Sequence, residues 1–242
     1  MLMLVTRPEP DAQSSVARLD ALGIEAIAAP LMVRRTLTPS LPPADGFAAI
    51  AVTSTNALRA LADQDALSAY SHLRVFAVGD RTAHEARQMG FSDVKAAAGT
   101  LESLVTLIAL ARIEGPVFYP AGKHLSGDMA HALAPHGLMV VTSTVYDMVA
   151  QPQMPDGVPE KLEQGEIGAV LVYSQRTAEI FCAATSTLSA EAREGLALIC
   201  MSEKVARPLL ANRFTRVHLA DHPDEDAMMT LALAFAREQT GP

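Results

Sequence analysis

The side chains in this sequence that could do chemistry are hydroxyls, amides and single cations, and they recur at one kind of place. Thr53-Ser54-Thr55-Asn56, Gly79-Asp80-Arg81-Thr82, Tyr173-Ser174-Gln175-Arg176 and Met201-Ser202-Glu203-Lys204 each close an apolar run and open a helical one. Ser, Thr, Asn and Asp at a helix start accept hydrogen bonds from its free N–H groups, and that is their ordinary structural work. The same N–H groups and the helix dipole also draw anions. In open parallel sheets ligands bind beyond the carboxyl ends of the strands. Several such helix starts at one place would suit a ligand with many carboxylates. Arg7, Arg81, Lys123, Arg176 and Lys204 follow predicted strands and could answer the same charges, although a solvated surface cation is the plainer role for each. Tyr119, Tyr146 and Tyr173 lie near strand ends, where a phenol buries its ring and keeps its hydroxyl at the sheet rim.

Other constellations fall short. The Gly79 turn opens a helix but lacks the further glycines of a dinucleotide fingerprint. His218, Asp221, His222 and Asp224 match no common metal spacing. Ser54 and Ser174 are not in a nucleophile-elbow setting, and no carboxylate pair stands out for acid–base work. The reading is therefore of donors that position a ligand, with no metal and no cofactor. Against 19 Lys and Arg stand 27 Asp and Glu, a net charge of −8 with no long basic run, and aromatics are 5% with no Trp. That balance argues against a nucleic-acid partner. Cys182 and Cys200 lie in apolar stretches and read as buried, reduced thiols. The opening Met-Leu-Met-Leu-Val is too short for a secretory signal, and the apolar run from Ala227 to Ala236 is about half of a membrane span. A cytoplasmic protein with no membrane partner is expected.

The elements that must position these residues alternate along the chain. Short apolar runs at Leu2–Thr6, Ala48–Thr53, Arg74–Val78, Pro116–Tyr119, Met139–Tyr146, Ala169–Tyr173, Leu196–Cys200 and Arg216–Leu219 read as parallel strands covered on both faces. Helical stripes lie between many of them. One is Val16, Leu19 and Leu22, stopping at Gly23; another runs from Leu101 to Ala111; a third is Leu125, Met129 and Leu133, reaching Gly137. Alternation of this kind implies an α/β fold.

The chain also repeats itself weakly. AAIAVTSTNALRAL resembles AVLVYSQRTAEIFCA, aligning Ser54 with Ser174, and VFAVGDRTAHEARQMG resembles LICMSEKVARPLLANR. The opening VTRPEP unit resembles the one starting VFYPAGK, with a strand ending at Pro8 in one and at Pro120 in the other. The repeat distance of about 115–125 residues is that of a domain. The fold expected is two similar parallel-sheet α/β domains joined by a two-stranded β linker, with a ligand cleft between them. Residues 1–34 with 151–242 form one discontinuous domain and 38–142 the inserted one. The linker strands are 31–37 and 143–150, followed by Pro39, Pro42 and Pro43 and by Pro152, Pro155 and Pro159.

In order and spacing, LVTRP, VTSTNAL, VFAVGDRTAHEA, AAGTLESL, VFYPAGK, STVYDMV and VLVYSQRTA resemble the uroporphyrinogen-III synthase family over nearly the whole chain. The resemblance implies two α/β domains on a two-stranded ladder. It also implies a lyase that cyclises linear hydroxymethylbilane to uroporphyrinogen III, with loss of water and inversion of the last pyrrole ring through a spiro intermediate. No metal or organic cofactor is implied, and the partner is a polycarboxylate tetrapyrrole with eight carboxylates. Tyr146 matches the Tyr of the family's VY motif, the proton donor to the departing hydroxyl. Thr53, Ser54, Gly79 and Thr82 match the hydroxyl- and amide-rich loops of one lobe, and Ser174 the equivalent loop of the other. With Arg7, Asn56, Lys123, Gln175 and Ser202 at neighbouring strand ends, they make the expected substrate-binding set. The chain departs from the family pattern at Thr55 and Gln175, where prolines are common. It departs again at Ser202-Glu203-Lys204-Val205, where a Gly and a Thr are often found. A monomer is expected. Two readings compete: a two-lobed binding module without catalysis, and a nucleotide-dependent enzyme using Gly79.

Overall fold

The computed structural model describes residues 1–125, 127–151 and 153–240, so Pro152 of the expected proline cluster falls outside it. The chain divides into two compact units: Met1–Val33 with Val149 onward, and Arg34–Met148. It begins with β1 (Leu2–Val5), α1 (Asp11–Ala21), β2 (Ala26–Ala28) and β3 (Met32–Thr36). The second unit continues with β4 (Ala49–Val52), α2 (Thr55–Ala62), α3 (Leu67–Tyr70), β5 (Arg74–Ala77), α4 (Asp80–Gln88), β6 (Val94–Ala96), α5 (Leu101–Leu110), β7 (Val117–Gly122), α6 (Met129–Leu133) and β8 (Val140–Ala150). The chain then returns to the first unit through α7 (Val158–Glu163), β9 (Ile167–Val172), α8 (Gln175–Ala184), α9 (Ala190–Gly195), β10 (Ala197–Cys200), α10 (Glu203–Ala211), β11 (Arg216–Leu219) and α11 (Glu225–Thr240).

The strands are short and apolar because both of their faces are covered. In the first unit, Leu4, Val170 and Leu198 enter one apolar cluster and Met3, Leu171 and Ile199 the other. In the second, Ile50, Val52 and Val75 face one cluster and Ala49, Ala51 and Phe76 the opposite one. Successive side chains of a strand point to opposite faces, so continuous apolar runs are what a sheet covered on both sides requires. Helix ends follow local chemistry. Gly23 closes α1 with φ +77° and donates its N–H to the Asp20 carbonyl at 2.8 Å, a conformation glycine adopts without strain.

The first sheet has the order β11-β10-β9-β1-β2, with every neighbouring pair parallel. The second has the order β3-β8-β7-β4-β5-β6 and is parallel from β8 to β6. Leaving β3 aside, the two orders are the same: β2-β1-β9-β10-β11 corresponds to β8-β7-β4-β5-β6, with the α/β connections in matching places. Each sheet reverses its winding once, between β1 and β9 in the first unit and between β7 and β4 in the second. These are the switch points where such folds open a crevice.

Three local expectations change. First, β7 does not end at Pro120 but runs on to Gly122. Val117 and Lys123 donate their N–H groups to Met139 and Tyr146 on the β8 side, at 2.8 and 2.9 Å. Pro120, at the opposite parity, therefore turns its missing donor toward β4, whose pairing with β7 stops at Ile50↔Phe118. No ladder bond is lost, and the proline is tolerated as on a sheet edge. Second, the repeat aligns differently there. Met3 pairs with Ala169 and Val117 with Ala49, so the counterpart of Pro120 is Thr6 rather than Pro8. Third, the stripe expected from Leu125 shortens: Asp128 caps α6 by accepting from the His131 N–H at 2.9 Å, and Leu125 stays outside it, half exposed.

Candidate active site

At the carboxyl end of β4, Ser54 caps α2 by accepting from the Asn56 N–H at 3.2 Å. In the other unit Ser174 caps α8 by accepting from the Thr177 N–H at 3.1 Å, and it shares a 2.7 Å hydrogen bond with the Thr177 hydroxyl. The two serines have nearly the same backbone, φ −154° and ψ 140° against φ −145° and ψ 151°. Gly79 and Ser202 start α4 and α10 with φ −168° and −166°, and neither start has a side-chain cap. The N-cap residue thus supplies no side-chain acceptor at either of these two helix starts, unlike Ser54 and Ser174. A Cβ on Gly79 would lie 3.5 Å from Gly99 Cα, so the turn packs on a second glycine without crowding. Thr82, in the first turn of α4, is buried to nearly the same degree as its counterpart Val205.

The strands of the second unit bring four of the expected residues to one edge. Thr53 follows β4, and its hydroxyl lies 3.0 Å from that of Tyr119 on β7. Asn56 donates from Nδ2 to Met148 Sδ on β8 at 3.8 Å. Lys123 donates its backbone N–H to the Tyr146 carbonyl at 2.9 Å and reaches Asp147 Oδ2 with its ammonium at 3.2 Å. Tyr146 lies against the end of β7: a Cβ placed on Gly122 would stand 2.6 Å from Tyr146 Cζ and 2.8 Å from its hydroxyl oxygen. Only glycine lets the phenol come so close.

A bulge aims that phenol. The pairing of β7 with β8 steps from Ala121↔Thr144 to Gly122↔Tyr146, which leaves Val145 as an extra residue. Regular alternation would turn Val145 and Tyr146 to opposite faces. With the bulge, fully buried Val145 and half-buried Tyr146 both pack on the same apolar cluster.

The matching place in the first unit is closed. Arg7 follows β1 but is only 7% exposed. It forms an ion pair with Glu225 at the start of α11, donates to Ser15 Oγ at 3.1 Å and lies 3.4 Å from Asp11 Oδ2. Its guanidinium also covers the Tyr173 ring. Burial, then the neighbouring Glu225 carboxylate, pushes the Tyr173 phenol up to about 12. Arg7 is thus occupied within its own unit. Gln175 donates to Glu179 on the exposed side of α8, at 2.9 Å.

Sequence reasoning passed over Gly122, Asp147 and Glu225, and noted Tyr119 without selecting it. Gly122 and Glu225 carry no local signal, because each matters through a partner in another element. Asp147 stands beside Tyr146, and its role as the carboxylate under Lys123 and His124 needs the β7–β8 pairing. Burial raises the Tyr119 phenol above its ordinary value; the Thr53 hydroxyl bond opposes that rise, and nearby Tyr146 adds to it.

Among the described residues no helix is long and apolar enough to cross a membrane. Among curated proteins, none matches this sequence. Solved structures share its fold, among them the following two. Uroporphyrinogen-III synthetase from Helicobacter pylori aligns with a TM-score of 0.66 at 17% identity, over 97% of this chain and 100% of that one. A mutant uroporphyrinogen III synthase from the extremely thermophilic bacterium Thermus thermophilus aligns with a TM-score of 0.56 at 17% identity, over 100% of both chains. At those identities the likeness is one of fold. Sequence adds what fold does not, since residues 13–230 match the family described as Uroporphyrinogen-III synthase HemD. The chain therefore belongs to the uroporphyrinogen-III synthase family, lyases of porphyrin biosynthesis that act on a tetrapyrrole.

Proposed function

We propose that this protein closes linear hydroxymethylbilane to uroporphyrinogen III, with loss of water and inversion of the terminal ring through a spiro intermediate. The observation that carries the residue roles is the Tyr146 phenol, held over Gly122 by the bulge in β8 in a chain of this family. Tyr146 gives a proton to the departing hydroxyl. Thr53, Ser54, Asn56, Gly79 and Thr82 in one unit, and Ser174, Gln175 and Ser202 in the other, serve the substrate carboxylates through hydroxyls, amides and helix-start N–H groups. Lys123 adds a cation beside Tyr146. Arg7 holds α11 and Tyr173 in place and acts on substrate only through them.

A hydroxymethylpyrrole loses water readily, so the chemical step needs modest help. The harder task is geometric, because the activated carbon must meet the less obvious pyrrole position. Positioning then supplies most of the acceleration. On this reading the enzyme works in the cytoplasm as a monomer, on the tetrapyrrole route to haem and its relatives.

The decisive experiment supplies hydroxymethylbilane made enzymatically in the same vessel, oxidises the product and separates the porphyrin isomers. The type III isomer is expected. Type I alone, the spontaneous product, overturns the assignment.

A further inference from the structure

The switch points of the two units are built alike and finished differently. In the first, the phenol of Tyr173 is answered by ions, with Arg7 over its ring and Glu225 Oε1 3.3 Å from its hydroxyl. In the second, the phenol of Tyr119 comes from the other strand of the pair and, among the described residues, hydrogen-bonds the hydroxyl of Thr53 at 3.0 Å. Tyr119 is 4% exposed, while Thr53 is half-buried at the carboxyl edge of β4.

Two hydroxyls facing each other hold two protons and share one hydrogen bond. The phenol is the more acidic of the two and so the better donor, and at 4% exposure it has little solvent to donate to in place of Thr53. With Tyr119 donating to Thr53 Oγ1, the Thr53 proton is left for another acceptor. We propose that Tyr119 is a positioning residue: it orients the Thr53 hydroxyl as a donor to a carboxylate of the substrate. This rests on the function proposed above and assigns Tyr119 no contact with the reacting atoms. A hydroxyl set in one direction before binding loses less freedom when the carboxylate arrives.

The experiment is a double-mutant cycle on the full chain with Tyr119→Phe, Thr53→Val and the pair, reading KM and kcat separately from the rate of type III product. Each single variant is expected to raise KM about 2- to 12-fold, the span of one ordinary hydrogen bond, with kcat near the wild-type value. The pair is expected to match Thr53→Val alone, because an orienting residue has nothing left to orient. Packing alone would make the two KM effects multiply. Multiplying effects, or a fall in kcat at constant KM, overturns the proposal while wild-type type III product leaves the proposed function standing. Wild-type protein that yields only type I product overturns both. Circular dichroism and melting temperature separate any variant that fails to fold. Should Tyr119→Phe be such a variant, Tyr119→Met takes its place in the cycle with the same expected and overturning outcomes.

Discussion

The guanidinium of Arg7 lies 4.3 Å from the centre of the Tyr173 ring, and Glu225 closes the group from α11. A cation over a ring face and a carboxylate beside it make one interlocked set at the switch point of the first unit. The equivalent position in the second unit holds the Thr53 and Tyr119 hydroxyls instead. The repeated fold thus carries an ionic lock in one copy and a hydrogen-bonded pair of hydroxyls in the other.

Breaking that lock should cost stability rather than substrate affinity. Arg7→Ala leaves Glu225, about four-fifths buried, without its cation, and such losses run to about 3–5 kcal/mol. Urea unfolding should show that loss, while KM at a temperature where the variant stays folded changes little. Unchanged stability with a large rise in KM would instead make Arg7 a substrate contact.

Tyr146 and Gly122 should fail together. Tyr146→Phe is expected to lower turnover by no more than about 10²-fold, the low end of general-acid effects. Gly122→Ala puts a carbon 2.6 Å from Tyr146 Cζ, so the ring must move. Turnover should fall to a similar degree, with about 1–3 kcal/mol of stability lost to overpacking. Wild-type turnover in Gly122→Ala would show that the placement of the phenol does not matter.

The helix starts divide into those that need their side chain for structure and those that do not. Ser174→Ala removes a cap and should cost about 1 kcal/mol in unfolding free energy. Ser202 makes no side-chain cap bond, so Ser202→Ala should stay within about 0.5 kcal/mol of wild type. Comparing KM for the pair then shows whether Ser202 serves the substrate: a rise at unchanged stability is expected.

Alkali should loosen the first unit. Burial raises the Cys200 thiol from its ordinary 9.0 to about 12 and helps raise the Tyr173 phenol from 10.0 to about 12. Both groups keep their protons in the fold longer than in the unfolded chain. Their contribution is complete below pH 9 and shrinks as pH climbs toward 12. Melting temperature followed from about pH 8 to about pH 11 should fall in that window, and a Cys200→Ala variant should fall less. A thiol-specific reagent at about pH 8 should leave Cys200 unmodified in the native protein, since the thiolate is the reactive form.

Much of the architecture was legible without coordinates, because it rests on neighbours in sequence. Apolar runs of four to eight residues marked eight strands. The starts of α2, α4, α8 and α10 stood at Ser54, Gly79, Ser174 and Ser202, and Gly23 ended α1. Capping, periodicity and left-handed turns depend on residues within about one helical turn of each other. Even the repeat showed through, since each copy had to satisfy the same local rules.

What needed the folded chain were relations across distance. Arg7 meets Glu225 from 218 positions away, and Thr53 meets Tyr119 from 66. Neither pairing follows from a run of residues, because strand order and register choose it. Pro120 looked like a strand end until the register showed its missing N–H facing a side where β4 no longer pairs. The bulge at Val145 leaves no mark in Ser143-Thr144-Val145-Tyr146, yet it turns the Tyr146 phenol onto Gly122. One inserted residue in a ladder reverses which face a side chain takes, and only the partner strand shows where the insertion lies.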